Sequence, residues 1–297
     1  MATPLVGGGD GWGTLASVAV QLLGTFVLRP YVVGFLFFFL VAGVRDIGGV
    51  RTVAFLLWGG AAALVAELAS TRIGVPFGLY HYTGATRAAE LFLSNVPFFS
   101  PLSFPFLAYA SFCLARRTFG PRWATTRGGR ARLVLVAGAL MMLLDVVIDP
   151  AAVRGGRWFL GHIFYYPEGG LYFGVPLSNF LGWLVVGWVT IGGYVWGEHG
   201  DGHSRSLVLD RGAPGLGIAL YYLVLAVNLS VTLWIGEALL AAAGILVHVG
   251  LFLLLYSVNK VTVGQWSAES LSAPAMTGGQ PGRAISCRRV TPAPSRS

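Results

Sequence analysis

The stretch LVLVAGALMMLLDVVIDP, residues 133–150, decides the class of this protein. Its first 16 residues contain a single charged side chain, Asp145, and such a run is typical of a membrane-crossing helix, which needs about 20 mainly apolar residues. The whole chain shares this character, because 55% of its 297 residues are hydrophobic and 11% are charged, whereas a soluble domain has about 25% charged residues. A water-soluble fold would lack polar surface, so the sequence predicts an integral membrane protein.

The apolar runs predict an all-α, polytopic membrane helical bundle of about seven transmembrane helices. The runs are 22–44, 52–70, 102–115, 133–148, 175–196, 215–235 and 238–258. Arg29-Pro30 interrupts the first run, so its boundary stays open. We expect an N-terminal segment at 1–21, one transmembrane domain at 22–260 and a disordered cytoplasmic tail at 261–297, which is rich in Ser, Pro, Gly and Arg.

The distribution of basic residues predicts the orientation in the membrane. Cytoplasmic loops are enriched in Lys and Arg, and six arginines fall between residues 116 and 132, after the third run. Alternation from that loop places 15 of the 20 Lys and Arg residues on the cytoplasmic side, with the N-terminus outside and the C-terminus in the cytoplasm. A multi-pass protein of the cell membrane, in contact with anionic lipid, explains the net charge of +8. No motif supports nucleic-acid binding.

Four carboxylates lie in or beside the apolar runs, and an acid inside a membrane indicates a functional site. Asp145 and Asp149 are four residues apart and share one helix face, where two like charges in a low dielectric resist ionising together. We expect one of them to hold a proton near neutral pH, which places a carboxylic acid beside a carboxylate. Glu67, near the outer end of the second helix, and Arg72, which follows it, are predicted to join this cluster.

A structural role for the same acids is the alternative. Each aspartate could pair with a basic side chain, Arg72 or Arg154, and so fix a helix end. The fourth carboxylate, Glu237, falls where a short turn is expected between the last two helices, and we predict a solvated residue there. The histidines lack the spacing of metal ligands, so no metal site is expected.

Aromatic side chains crowd the two outer loops, where they could line a substrate pocket. The residues predicted to contact a substrate are Tyr80, His81, Tyr82, Trp158, Asn179 and Trp183. Aromatic ring faces stabilise a nearby cation by about 0.5–2 kcal/mol each. The alternative for the aromatic residues is the belt that membrane proteins carry at the interface, and for Asn179 it is a hydrogen bond between helices.

Four segments give the chain a family resemblance. They are ELASTRIGVPFGLYHY at 67–82, VPFFSPLSF at 96–104, DVVIDP at 145–150 and GVPLSNFLGW at 174–183. Together they resemble the membrane carotenoid hydratases of the bisanhydrobacterioruberin hydratase type, which also occur in monocyclic-carotenoid pathways. The resemblance extends from Arg29 to Lys260 and leaves out the glycine-rich N-terminal stretch and the C-terminal tail.

The resemblance implies an enzyme that adds water across the terminal double bond of an acyclic carotenoid end, without a redox cofactor. The substrate would be an acyclic or monocyclic carotenoid reached from membrane lipid; nothing in the sequence indicates an oligomeric state. Protonation of the alkene gives a tertiary carbocation, which water attacks, so the site needs an acid and a base in dry surroundings. We assign proton donation to Asp145 or Asp149 and proton acceptance from water to Glu67, with Arg72 holding the charge state of the cluster.

Two other functions stay open at this point. The small heptahelical lycopene cyclases protonate the same kind of end group but close a ring, so the product depends on whether water enters. A carotenoid or lipid carrier, or a proton-linked transporter, would leave the mass of the carotenoid unchanged. Transporters are often built from inverted repeats, and this sequence shows no convincing one.

Overall fold

The computed structural model describes residues 11–120, 126–197 and 214–272. Within these ranges the helices are α1 (Gly11–Leu28), α2 (Pro30–Asp46), α3 (Gly49–Ile73), α4 (Phe99–Phe119), α5 (Arg127–Ala152), α6 (Leu177–Gly197), α7 (Gly215–Trp234) and α8 (Ala238–Ser272). The loops contain a 3₁₀ turn (Gly155–Arg157) and the short strands β1 (His81–Tyr82), β2 (Phe92–Leu93), β3 (Val96–Pro97) and β4 (Phe164–Tyr165). The first ten residues, the basic residues Arg122, Arg205 and Arg211, and the predicted tail from residue 273 onward lie outside the described residues.

Five helices, α3 and α5 to α8, are long and apolar enough to cross a membrane. Helices α1 and α2 reach that length only as a pair, and a bend of 91° separates them, so the described part of the chain offers up to six spans. The predicted all-α membrane protein is thereby confirmed. The count of seven spans and the orientation of the termini stay predictions.

The predicted first helix, 22–44, is broken at Arg29. Arg29 has non-helical backbone angles, φ −122° and ψ 51°, and Pro30 is the first residue of α2. Proline has no backbone N–H and its ring fixes φ, so it begins a helix more readily than it continues one. Helix α2 therefore runs in a new direction, and the Arg29 side chain is buried, with 2% of its surface exposed.

Helix α4 lies at the centre of the bundle. Every residue from Phe104 to Arg116 is buried, and the helix contacts α2, α3, α5, α6 and α7. Neighbouring helices shield it from lipid, so polar side chains and Pro105 are tolerated where a lipid-facing helix would exclude them. This explains why α4 is not among the five helices that are apolar enough to cross a membrane, although its position matches the predicted run at 102–115.

Two loops meet at one end of the bundle, which we call the site end, where α3 and α5 finish and α4 and α6 begin. Strand β1, after α3, pairs antiparallel with β4, after α5, with His81 opposite Tyr165. Helix α3 stops because Gly74 adopts a left-handed backbone angle, φ 75°, and its N–H caps the Ser70 carbonyl. A β-carbon on Gly182 of α6 would lie 2.4 Å from the Phe77 ring, so a glycine there lets the first loop pack directly on α6.

Helix α8 continues past its predicted end at residue 258 and reaches Ser272. The bundle itself extends to Asn259, and the chain from Lys260 belongs to a separate unit. Residues 261–272 of the predicted tail are therefore helical.

Candidate functional site

A cavity opens among the helices at the site end. It holds about 930 Å³ of empty space, its mouth included. Helices α2 to α7 and the loops after α3 and α5 form its walls, which are mainly aromatic and apolar. Glu67 and Asp149 line this cavity, while Asp145 is fully buried one helical turn deeper.

One side of the cavity carries the two aspartates of α5. The Asn179 amide nitrogen donates to Asp145 Oδ2 at 2.7 Å and to Asp149 Oδ2 at 2.8 Å. The Trp183 indole N–H donates to the same Asp149 oxygen at 3.2 Å. Asn179 and Trp183, both on α6, thus hold the two carboxyl groups together on one helix face, as their spacing predicted. Carboxyl groups this close share a proton more readily than they carry two charges.

Another side of the cavity carries Glu67 of α3, with 3% of its surface exposed. The Ser100 hydroxyl, in the first turn of α4, donates to Glu67 Oε1, and the Tyr82 hydroxyl lies 3.1 Å from the same oxygen. Tyr82 and Ser100 are also in contact, with 2.9 Å between their oxygens. Burial raises the pKa of the Tyr82 hydroxyl well above its usual range, so the phenol stays protonated and can donate a hydrogen bond.

Aromatic rings form much of the remaining wall. Trp183 stacks on Phe104 of α4, with ring centroids 4.2 Å apart and planes inclined by 6°. Tyr80 contacts three further rings, those of Tyr82, Phe164 and Tyr166. The cavity therefore presents several π-faces to whatever it binds, and such faces attract positive charge.

Eight of the ten predicted site residues meet at this cavity. Those that line it are Glu67, Tyr80, Tyr82, Asp149, Trp158, Asn179 and Trp183. Asp145 joins them through Asn179. These eight residues, some predicted as catalytic and some as substrate-binding, therefore lie at or next to one pocket.

Arg72 and His81 are not brought into the cavity. The Arg72 side chain is exposed and donates to the Leu68 carbonyl at 2.8 Å and to Ser94 Oγ at 3.2 Å. It follows Glu67 by five residues and so leaves α3 on a different face. Arg72 and Glu67 therefore do not meet, although they are close in sequence. His81 lies in β1, where its ring contacts Tyr165 at 5.9 Å between centroids.

Comparison with known proteins identifies the family. Residues 16–251 match the family described as "Carotenoid biosynthesis protein". The chain belongs to this family. Bisanhydrobacterioruberin hydratase from Haloarcula japonica is 33% identical over 234 residues, which cover 76% of this chain and 70% of that protein. No solved structure matches the chain significantly.

The cavity lies wholly within the part of the chain that matches carotenoid biosynthesis proteins. Its lining residues run from Tyr31 to Asn228, inside the matched range 16–251. The family implies a carotenoid as the substrate, and an apolar, aromatic pocket suits such a molecule. Within the described residues, no three metal-ligating side chains are grouped so that they could hold an ion.

Ser100 and Phe104 also line the cavity but were not predicted from the sequence as site residues. Both lie in VPFFSPLSF, one of the four segments that carry the family resemblance, which was the available signal. Their roles depend on contacts with Glu67 of α3 and Trp183 of α6, and no local pattern specifies contacts over such separations.

The fourth carboxylate, Glu237, differs from its prediction as a solvated turn residue. It is partly buried, and Oε1 forms an ion pair with Arg154, 2.8 Å from its Nε, and accepts from Arg157 Nη1 at 2.6 Å. Arg154 also donates to two backbone carbonyls, those of Pro150 and Phe173. Arg154 therefore pairs with Glu237 and not with Asp149, which weakens the purely structural explanation of the α5 aspartates.

Proposed function

We propose that this protein is a carotenoid hydratase, which adds water to the terminal double bond of an acyclic carotenoid end group. The observation that carries this proposal is the presence of two carboxyl groups, Glu67 from α3 and Asp149 from α5, in one aromatic cavity. Hydration needs a proton donor for the alkene and a proton acceptor for water, and one carboxyl group can serve each step. The printed name of the Haloarcula japonica relative, a hydratase, supports the same reaction class.

Asp149 is the proton donor in this mechanism because it lines the cavity, whereas Asp145 does not. Its proton is transferred to one carbon of the terminal double bond, and the π electrons form the new C–H bond. A carboxylate is left on Asp149 and a tertiary carbocation on the neighbouring carbon. Asp145, joined to Asp149 through Asn179, is a positioning residue that keeps a proton available to the pair.

Water completes the reaction at Glu67. Its oxygen attacks the cation to form the C–O bond of a tertiary alcohol, and the proton that it loses moves to Glu67. One proton leaves Asp149 and one arrives at Glu67, so the net charge of the site is conserved and no electrons are exchanged with a redox partner. The rings of Tyr80, Tyr82 and Trp183 line the same space and would stabilise the cation by about 0.5–2 kcal/mol each.

We also propose the finer topology that the basic residues predict. The bent pair α1–α2 and the central α4 would join the five apolar helices as seven spans of the cell membrane, with the N-terminus outside. Arg116, Arg117, Arg127, Arg130 and Arg132 then lie at the cytoplasmic end, opposite the site end. The cavity would open at the outer half of the bilayer, from which a lipid-dissolved polyene can enter.

Expression in a bacterial host that makes lycopene tests the reaction. We expect a pigment heavier by one water, detected by chromatography and mass spectrometry of extracted membranes. A new product of unchanged mass with a ring would replace the proposal with a cyclase. Unmodified pigment in a host with verified membrane expression would replace it with a carrier or with an enzyme for another lipid.

Replacing Arg72 with Met should leave hydration within about twofold of wild type, because its side chain lies outside the cavity and exposed substitutions usually change stability by no more than about 0.5 kcal/mol. The Arg72 side chain does not line the cavity, and it donates to the Leu68 carbonyl and to Ser94 Oγ. Product yield per unit of membrane protein is the measurement. A loss above tenfold would return Arg72 to the catalytic cluster.

A further inference from the structure

The two carboxylate oxygens of Glu67 have different surroundings. Oε1 receives the Ser100 hydroxyl and lies 3.1 Å from the Tyr82 hydroxyl. Oε2 is buried and has no hydrogen-bond partner among the described residues. A buried carboxylate oxygen without a donor costs about 1–3 kcal/mol or more, so Oε2 is a site that a small donor would occupy with a gain in free energy.

Ser100 and Tyr82 restrict how the Glu67 carboxyl group can turn. They come from different segments, because Ser100 lies in the first turn of α4 and Tyr82 lies in β1, which β4 holds in place. Both direct a hydroxyl at Oε1, and they also contact each other at 2.9 Å. With Oε1 engaged from two directions, Oε2 is the Glu67 oxygen whose capacity to accept a hydrogen bond is left unused.

We infer that Ser100 and Tyr82 are positioning residues that present Glu67 Oε2 to the attacking water and so commit the protonated end group to hydration. This inference rests on the proposed hydratase function. The carbocation has two other outcomes when water is not held beside it. It can lose a proton, which regenerates an alkene, or it can be attacked by a nearby double bond, which forms a C–C bond and a ring before a proton is lost. All three outcomes share the protonation step at Asp149 and separate only afterwards.

Replacing Ser100 with Ala, or Tyr82 with Phe, should therefore separate protonation from hydration. We would incubate membranes that contain the enzyme and lycopene in D2O and analyse all pigments by chromatography and mass spectrometry. Wild type should give an alcohol with one carbon-bound deuterium. Each variant should form roughly 10- to 100-fold less alcohol, as expected when a reacting group is misplaced. The recovered pigment should meanwhile carry carbon-bound deuterium, a shifted double bond or a ring.

Two variants control for structural damage. Ser111 lies on the same helix, is buried and donates only to the Leu107 carbonyl, so Ser111→Ala should keep wild-type yields. Ser100→Thr restores a hydroxyl at the same position and should recover most of the lost alcohol. Tyr82→Phe removes only one oxygen, from a loop residue. If Ser100→Ala lowers membrane expression, the yields of alcohol and of deuterated pigment in Tyr82→Phe test the same inference.

The outcomes distinguish this inference from the proposed function. Alcohol and deuterium exchange that fall together in variants of normal thermal stability would overturn the inference, because protonation would then have been lost as well. Alcohol that stays within twofold of wild type in both variants would also overturn it. A wild-type enzyme that forms no alcohol and exchanges no deuterium would instead refute the hydratase proposal.

Discussion

Replacing Asp149 with Asn should lower the yield of hydrated carotenoid by at least about 100-fold, the lower end of what a positioned acid contributes. Asn keeps the size of the side chain and can still contact Asn179 and Trp183, but it has no acidic proton to give to an alkene. The cation would not form, so deuterium exchange into the substrate should stop together with hydration. The measurement is the same pigment analysis in H2O and in D2O.

The neighbouring acids provide matched comparisons for Asp149→Asn. Asp145→Asn should cause a smaller loss, because Asp145 is buried beside Asp149 but does not line the cavity. Glu237→Gln removes a carboxylate that pairs with Arg154 and Arg157 away from the cavity, so its yield should remain close to wild type. A full loss in Asp145→Asn with a mild loss in Asp149→Asn would reverse the assignment of proton donor.

The acids that meet at the cavity could be selected from the sequence because local rules describe them. A charge inside an apolar run is costly unless it has a function, which selected Glu67 and Asp145, and the i, i+4 spacing placed Asp149 on the same face. Asn179 and Trp183 share a face of α6 by the same spacing, and their contacts to the α5 aspartates follow from the packing of α5 on α6. Helical periodicity thus accounted for much of one cavity wall.

The same local rules do not predict contacts between loops and helices. Arg72 was predicted to join the cluster of acids, yet its side chain is exposed and donates to the Leu68 carbonyl and to Ser94 Oγ. The proline after Arg29 indicated an interruption, but it did not specify the size of the bend, 91°. Helix α4 was predicted from its apolar run, whereas its central position follows from packing on five neighbours. Such features depend on tertiary contacts, which residue patterns in the sequence do not encode.

Arg29 and Glu90 form a buried ion pair that joins the break between α1 and α2 to the loop after β1. Arg29 Nε lies 3.1 Å from Glu90 Oε2 and Nη2 lies 2.8 Å from Oε1, with 2% and 0% of the two side chains exposed. Arg29 also donates to the Leu160 carbonyl at 2.9 Å, and its guanidinium lies 4.5 Å from the Phe99 ring centroid. Leu160 and Phe99 both line the cavity, so this pair supports its wall.

Replacing Arg29 with Met should therefore destabilise the protein by about 3–5 kcal/mol, because it leaves the Glu90 carboxylate buried without its counter-charge. Thermal or denaturant unfolding of the detergent-solubilised protein measures the change. Arg72→Met removes an exposed arginine from the same end of the bundle and should change stability by no more than about 0.5 kcal/mol.

The double variant Arg29→Met with Glu90→Met should recover much of the loss, since no isolated charge remains. A double variant as unstable as Arg29→Met alone would show that the contacts of Arg29 with Leu160 and Phe99, and not the ion pair, hold this wall of the cavity.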